Sequence, residues 1–125
     1  MARLLVVEDN RVNLELMTYV LTAFGYEVVA VDNGPAALEA LRAARVDLVL
    51  CDVHMPGMDG LHLLKELRQD TATAGLRVIA VTAAAMVGDK ERFLAAGFDG
   101  YLSKPIDPHA FAQQVQGFLD VKRSP

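Results

Sequence analysis

At 125 residues with 53% apolar side chains, the chain is long enough for one substantial core and too apolar for disorder. Its formal net charge of −4, with Lys122-Arg123 as the only basic tail, excludes the basic stripe of a nucleic-acid binder. A single cysteine, Cys51, excludes a disulfide framework and thiolate metal sites. It ends an apolar run, where a small buried core residue is expected. No run approaches the roughly 18 apolar residues of a membrane span, and Met1-Ala2-Arg3-Leu4 is not a secretory signal. A cytoplasmic protein is the expectation.

Five apolar runs recur, at about residues 3–7, 27–31, 47–51, 77–82 and 100–103. They are rich in Val, Ile and Leu without alternation, as strands buried on both faces of a parallel sheet require. Between the first two, Val12, Leu16, Met17, Val20, Leu21 and Phe24 predict one apolar helix face, and Gly25 stands where the helix would stop. Asn33-Gly34-Pro35 supplies a cap and a first-turn proline for a helix to Ala44. A third helix is predicted from Gly60 to Leu67, and a fourth from Met86 to Ala96, closed by Gly97. Residues 70–76 read as the longest loop. Asp107-Pro108 repeats the cap-then-proline arrangement before Phe111, Val115, Phe118 and Leu119, the stripe of the last helix. The pattern is α/β, (βα)5, with helices on both faces of a parallel sheet. One domain is expected over 1–125, with a core of about 3–120 and a short tail at 121–125.

The chemistry collects at the carboxyl ends of these strands, where α/β sheets bind ligands. Glu8-Asp9 follow the first run, Asp52 the third, Thr82 ends the fourth, and Lys104 follows the fifth. Taken singly, each has an ordinary reading. Glu8-Asp9-Asn10 could cap the helix from Arg11, Asp52 could cap a turn, Thr82 could end a strand, and Lys104 could be solvated. Together they suit a divalent cation and a phosphoryl group. Clustered carboxylates raise one another's pKa, so an ionised Asp52 nucleophile needs compensating charge. Mg²⁺ bound by Asp9 and Asp52, with Glu8 acting through water, would supply it. Lys104 would pair with Asp52 and then with phosphoryl oxygens, while Thr82 donates a hydrogen bond. His54, His62 and His109 are too scattered for a metal cluster. Pro56 and Gly57 shape the loop beside Asp52, and Gly60 permits entry into the third helix.

Val6-Val7-Glu8-Asp9-Asn10, Asp52-Val53-His54-Met55-Pro56-Gly57-Met58-Asp59-Gly60, Val81-Thr82-Ala83 and Ser103-Lys104-Pro105 resemble the receiver domain of two-component response regulators. The resemblance spans about residues 3–120. It implies a doubly wound, flavodoxin-like sheet of order 2-1-3-4-5. It also implies that Asp52 is phosphorylated from a phosphohistidine. Glu8, Asp9, Asp52 and the backbone carbonyl of His54 would serve Mg²⁺, with Mn²⁺ as a substitute. Thr82 and Lys104 would contact the phosphoryl group, Lys104-Pro105 would be a cis peptide, and Thr82 and Tyr101 would act as the switch pair. Many receivers begin the acidic pair with Asp where this chain has Glu8, a departure that leaves metal binding intact. His54 and Ala84 occupy the positions that tune phosphate lifetime in relatives.

The leading expectation is thus a binding module with only self-phosphorylation and self-dephosphorylation chemistry, not a dedicated enzyme. Phosphorylation would alter the surface of the fourth helix, fifth strand and fifth helix (about 84–119), including Met86 and Val87, for a downstream protein partner. Val12, Asn13, Leu16 and Pro105 are the candidates for docking a histidine kinase or histidine phosphotransfer protein. The protein would be a monomer or a weak phosphorylation-dependent dimer, with no direct nucleic-acid or membrane contact. The phrases Glu8–Asn13 and Thr82–Asp89 look most like stand-alone cell-cycle-type receivers and the receivers of hybrid kinases, and the stand-alone role is favoured over a phosphorelay shuttle or sink. An aspartate-nucleophile phosphohydrolase would want a second acid where His54 stands. A flavodoxin-type cofactor binder would want a phosphate loop where Glu8-Asp9 would repel a phosphate.

Overall fold

The computed structural model describes residues 2–83 and 88–120, so the expectations for Ala84, Met86 and Val87 lie outside the described residues. Strands β1 (Arg3–Val7), β2 (Glu27–Val31), β3 (Leu48–Asp52), β4 (Val78–Thr82) and β5 (Gly100–Ser103) alternate with helices α1 (Arg11–Ala23), α2 (Gly34–Ala43), α3 (Gly60–Gln69), α4 (Asp89–Ala96) and α5 (Pro108–Asp120). The strands form one parallel sheet in the order β2-β1-β3-β4-β5, the flavodoxin-like arrangement expected. Because β1 leads outward to β2 while β3 leads the other way, the topological switch point falls between β1 and β3.

Strands β1, β3 and β4 are buried on both faces, while the edge strand β2 is only half-buried, and successive residues of the central strands divide between two cores. Leu5, Val7, Val49, Cys51 and Ala80 pack with Leu63, Leu64, Leu67 and Phe93 of α3 and α4. Leu4, Val6, Leu48, Leu50, Ile79 and Val81 pack with Met17, Leu21, Phe111 and Val115 of α1 and α5. This two-residue alternation explains why the central strands run apolar for four residues or more: each of those side chains finds a core on whichever side it points. Cys51 is buried, as expected.

Local punctuation works as the sequence suggests. Asn33 Oδ1 accepts the Ala36 N–H at the start of α2, and Asn10 Oδ1 accepts that of Asn13 at the start of α1. Gly97 ends α4 at φ 117°, a left-handed conformation suited to glycine. One expectation needs correcting. Val12 and Phe24, read as part of the buried face of α1, are 74% and 53% exposed. The stripe that faces the sheet is centred on Met17 and Leu21, with Leu14 beside them. At 100° per residue Val12 lies on the far side of the helix from that centre. Asp52 is also the last residue of β3 rather than the first beyond it, and α3 runs two residues past Leu67. Among the described residues no helix is long and apolar enough to cross a membrane.

Candidate functional site

Strand register brings the predicted residues to one edge. Asp52 lies opposite Val81, next to Thr82, and Thr82 lies opposite Ser103, next to Lys104. The Lys104 N–H donates to the Thr82 carbonyl at 2.9 Å, and the Glu8 N–H to that of Val31 at 3.1 Å, so backbone pairing continues past the strands and fixes both charged residues. The Lys104-Pro105 peptide is cis, as the resemblance implied.

Asp52, Glu8 and Thr82 are buried, while Asp9 is exposed at the rim. Both Asp52 oxygens are held. Oδ1 accepts the backbone N–H of His54 at 3.1 Å, and Oδ2 lies 3.2 Å from Lys104 Nζ. Lys104 also stands 2.6 Å from Glu8 Oε1, so one ammonium bridges two buried carboxylates. The other Glu8 oxygen, Oε2, accepts the Asn10 N–H at 3.1 Å. A carboxylate oxygen from each of Glu8, Asp9 and Asp52 falls within 4.8 Å of the other two. Three hard oxygen donors, one at the rim and two buried with an excess of negative charge, fit a small divalent cation.

The electrostatics follow from that crowding. Burial, then the neighbouring Asp52 carboxylate, pushes Glu8 up from 4.5 to about 7 despite the Lys104 contact. For Lys104, burial works against the charge, but the Glu8 and Asp52 carboxylates outweigh it and leave the ammonium held above its ordinary value. A raised carboxylate binds its proton more tightly folded than unfolded. Its contribution to stability is therefore complete below pH 4.5 and lost as pH rises through about 7. Glu8→Gln, which keeps the shape without the charge, is expected to stabilise the metal-free protein at pH 8 by about 1–3 kcal/mol. Near pH 4 that gain should vanish. Denaturant titrations at the two pH values measure it, and an equal gain at both would show that charge burial is not the cause.

The remaining predicted residues lie around this centre. The His54 side chain is exposed, and it is its backbone amide that reaches Asp52. Tyr101 is half-buried and stacks on Phe93 of α4, with ring centroids 5.8 Å apart and 19° between planes. Val12 and Pro105 are exposed on the same edge, while Asn13 and Leu16 are half-buried. Three features escaped the sequence reading: the Glu8–Lys104 pair, the His54 amide on Asp52, and the closeness of Gly60 to Asp52. A Cβ on Gly60 would stand 2.6 Å from the Asp52 carbonyl oxygen. The pairing of Glu8 was foreseeable only from the switch point, which sets β1 beside β3.

A doubly wound sheet with an acid cluster at its switch point, and a lysine reaching that cluster from the end of β5, defines the class: an α/β domain with a charged site at the carboxyl ends of its strands. Within that class the chain belongs to the response regulator receiver domain family, whose family model matches residues 4–116. It is 40% identical over 115 residues to the polar-differentiation response regulator DivK of Brucella anthropi, covering 92% of this chain and 94% of that protein. The chemotaxis response regulator CheY4 of Vibrio cholerae superposes with a TM-score of 0.87 at 29% identity, over 94% of this chain and 98% of that one. The receiver domain of the sensor histidine kinase PA1611 from Pseudomonas aeruginosa, whose structure holds a magnesium ion in its active-site cleft, gives 0.85 at 32% identity over 96% and 98%.

Proposed function

We propose that this receiver accepts a phosphoryl group on Asp52 from a phosphohistidine and thereby controls a partner protein. The observation that carries the reading is the Asp52 carboxylate, buried at the end of β3 and held between the His54 amide and the Lys104 ammonium. In the transfer, the donor's P–N bond breaks as an Asp52 O–P bond forms, and the histidine leaves with its ring nitrogen restored. Asp52 is fixed before the donor arrives, so little reorganisation precedes attack. Lys104, already between two carboxylates, remains in place to neutralise the added phosphoryl charge, and Thr82, buried at the neighbouring strand end, is positioned to donate to it. Glu8, Asp9, Asp52 and the carbonyl of His54 would hold Mg²⁺, or Mn²⁺ in its stead, which screens the charge that the carboxylates and phosphoryl group share. With Asp52 phosphorylated, Thr82 moves toward the phosphoryl group and Tyr101 repacks, altering the face of α4, β5 and α5. His54, exposed beside the site, and Ala84 set how readily water reaches the acyl phosphate.

Exposed Val12 and Pro105, with Asn13 and Leu16 beside them, form the surface proposed to meet a histidine kinase or phosphotransfer protein. Similarity over nearly the whole length of a DivK protein supports the role of a response regulator in its own right. We read it as cytoplasmic, as a monomer or weak phosphorylation-dependent dimer, and as a switch rather than a relay shuttle. The position two beyond Asp52 holds His54 and not an acid, which argues against a phosphohydrolase.

The test is incubation with radiolabelled acetyl phosphate. Acid-stable, base-labile label should appear at Asp52 with Mg²⁺, disappear with a chelator, and fall by at least about a hundredfold in Asp52→Asn. Label that survives Asp52→Asn unchanged would remove Asp52 as the acceptor.

A further inference from the structure

The C-terminal end of α4 is fastened to α3 by one side chain. Arg68, with its side chain 20% exposed, sends Nη1 to the carbonyls of Leu76 (2.6 Å) and Ala74 (3.2 Å). Nη2 reaches the carbonyl of Gly97 (3.0 Å) and the carboxylate of Asp99 (2.9 Å). Asp99 passes the hold on, because the same Oδ2 accepts the Val78 N–H at 2.9 Å where β4 begins. Only a planar fork with several fixed donors joins this many acceptors from different segments; an ammonium would have to choose among them. The last turn of α4, the α3–β4 loop and the first rung of β4 are thereby tied to one guanidinium.

A second attachment lies one turn earlier. Phe93 is fully buried, meets Phe98 edge-on at 6.0 Å, and stacks on Tyr101. The Arg92 guanidinium stands 4.8 Å from its ring centroid. The helix begins instead at Gly88, whose φ of 93° is left-handed and which has no side chain to offer as a cap. So α4 is pinned at its end and gripped near its middle by the strand that carries Tyr101.

We propose that α4 is a lever: the Arg68–Gly97–Asp99 bonds are its fulcrum, and the Phe93–Tyr101 stack is the handle by which a change in Tyr101 packing turns it. The inference rests on the reading of Tyr101 as responding to phosphorylation of Asp52. With the end fixed, turning Phe93 displaces the surface around Asp89–Arg92 while Gly97 stays still. Without the fulcrum, the same push is dissipated as movement of the whole element, and the partner-facing surface loses its defined second position. Arg68 is thus a positioning residue. Its partners Ala74, Leu76, Gly97 and Asp99 are not residues of the phosphoacceptor site, yet it determines which part of α4 responds.

The experiment uses the full chain, with beryllofluoride and Mg²⁺ as phosphoryl mimic, bound-fluoride resonances to confirm occupancy, and amide hydrogen exchange as the readout. In the wild type, occupancy should change exchange over residues 88–96 and leave 97–100 unaltered. Arg68→Met should cut the change over 88–96 by about fivefold or more and transfer part of it to 97–100. Arg68→Lys, which keeps a cation beside Asp99, should recover thermal stability but not the response, separating leverage from mere support. Phe93→Leu, with the fulcrum intact, should bind beryllofluoride and leave both segments silent. Cooperatively melting Arg68→Met or Phe93→Leu protein with a wild-type response over 88–96 would overturn the lever, as would an occupied wild type with no response there. Failure of the wild type to bind beryllofluoride would instead overturn the phosphoacceptor reading, and the lever with it.

Discussion

Replacing Lys104 by methionine is expected to destabilise the metal-free protein at pH 8 by about 2–4 kcal/mol, because it leaves two buried carboxylates with no counter-charge. Lys104 Nζ lies 2.6 Å from Glu8 Oε1 and 3.2 Å from Asp52 Oδ2, and the side chains of Glu8 and Asp52 are 1% and 5% exposed. Solvent cannot take the place of the ammonium. The loss should depend on pH in one direction. Glu8, already at about 7 with Lys104 present, moves higher without it and takes up a proton as the solution is acidified. At pH 5 the penalty should therefore shrink to about half or less. Millimolar Mg²⁺ should shrink it at pH 8 as well, since a cation bound to the same oxygens supplies the missing charge and stabilises only the folded state. Urea titrations at pH 5 and pH 8, with chelator and with Mg²⁺, measure all three effects. A loss of equal size at both pH values would mean that Lys104 matters for packing of its aliphatic stem and not for charge.

That coupling shows what a one-dimensional sequence displays and what it withholds. The strands were legible because burial on two faces demands uninterrupted apolar runs, and the acids and lysine were legible because they break those runs at the same end. Asn33 and Gly97 announced helix boundaries through chemistry local to a few residues. The Glu8–Lys104 pair has no local signature. It depends on β1 lying beside β3, and on Lys104 reaching back over β4. Arg68 was equally silent, since a lysine or arginine near a helix end usually reads as a solvated charge. Val12 shows the opposite error. An apolar residue was assigned to the core because a helix of mostly apolar residues has more candidates than its buried stripe can hold, and the stripe's centre is set by the neighbouring sheet.

Gly60→Ala is expected to damage the site although the residue carries no chemistry. An added Cβ would stand 2.6 Å from the Asp52 carbonyl oxygen, 2.7 Å from the Val53 Cα and 3.2 Å from the Asp52 carbonyl carbon. All three are backbone atoms, and they cannot swing aside as a side-chain end can. The approach is held from both sides: the Gly60 N–H donates to the Val53 carbonyl at 2.9 Å, and Asp59 caps α3 by accepting the His62 N–H at 2.8 Å. Either α3 retreats or the end of β3 shifts, at about 2–3 kcal/mol of overpacking strain. If β3 shifts, Asp52 moves relative to the His54 amide and Lys104. Displacement by a fraction of an ångström to one ångström then slows phosphorylation from acetyl phosphate by roughly ten- to a hundredfold. Gly34 provides the internal control. A Cβ there would come within 2.5 Å of Met58 Sδ, 2.8 Å of its Cγ and 3.0 Å of its Cβ, all in one half-buried side chain whose outer atoms can swing away. Gly34→Ala should cost about 1–2 kcal/mol and leave labelling near the wild-type rate, because the clash falls on one flexible side chain and not on the backbone of Asp52. Parallel denaturation and labelling of the two variants decide the point: wild-type labelling in folded Gly60→Ala would mean that the β3–α3 loop absorbs the strain without disturbing Asp52.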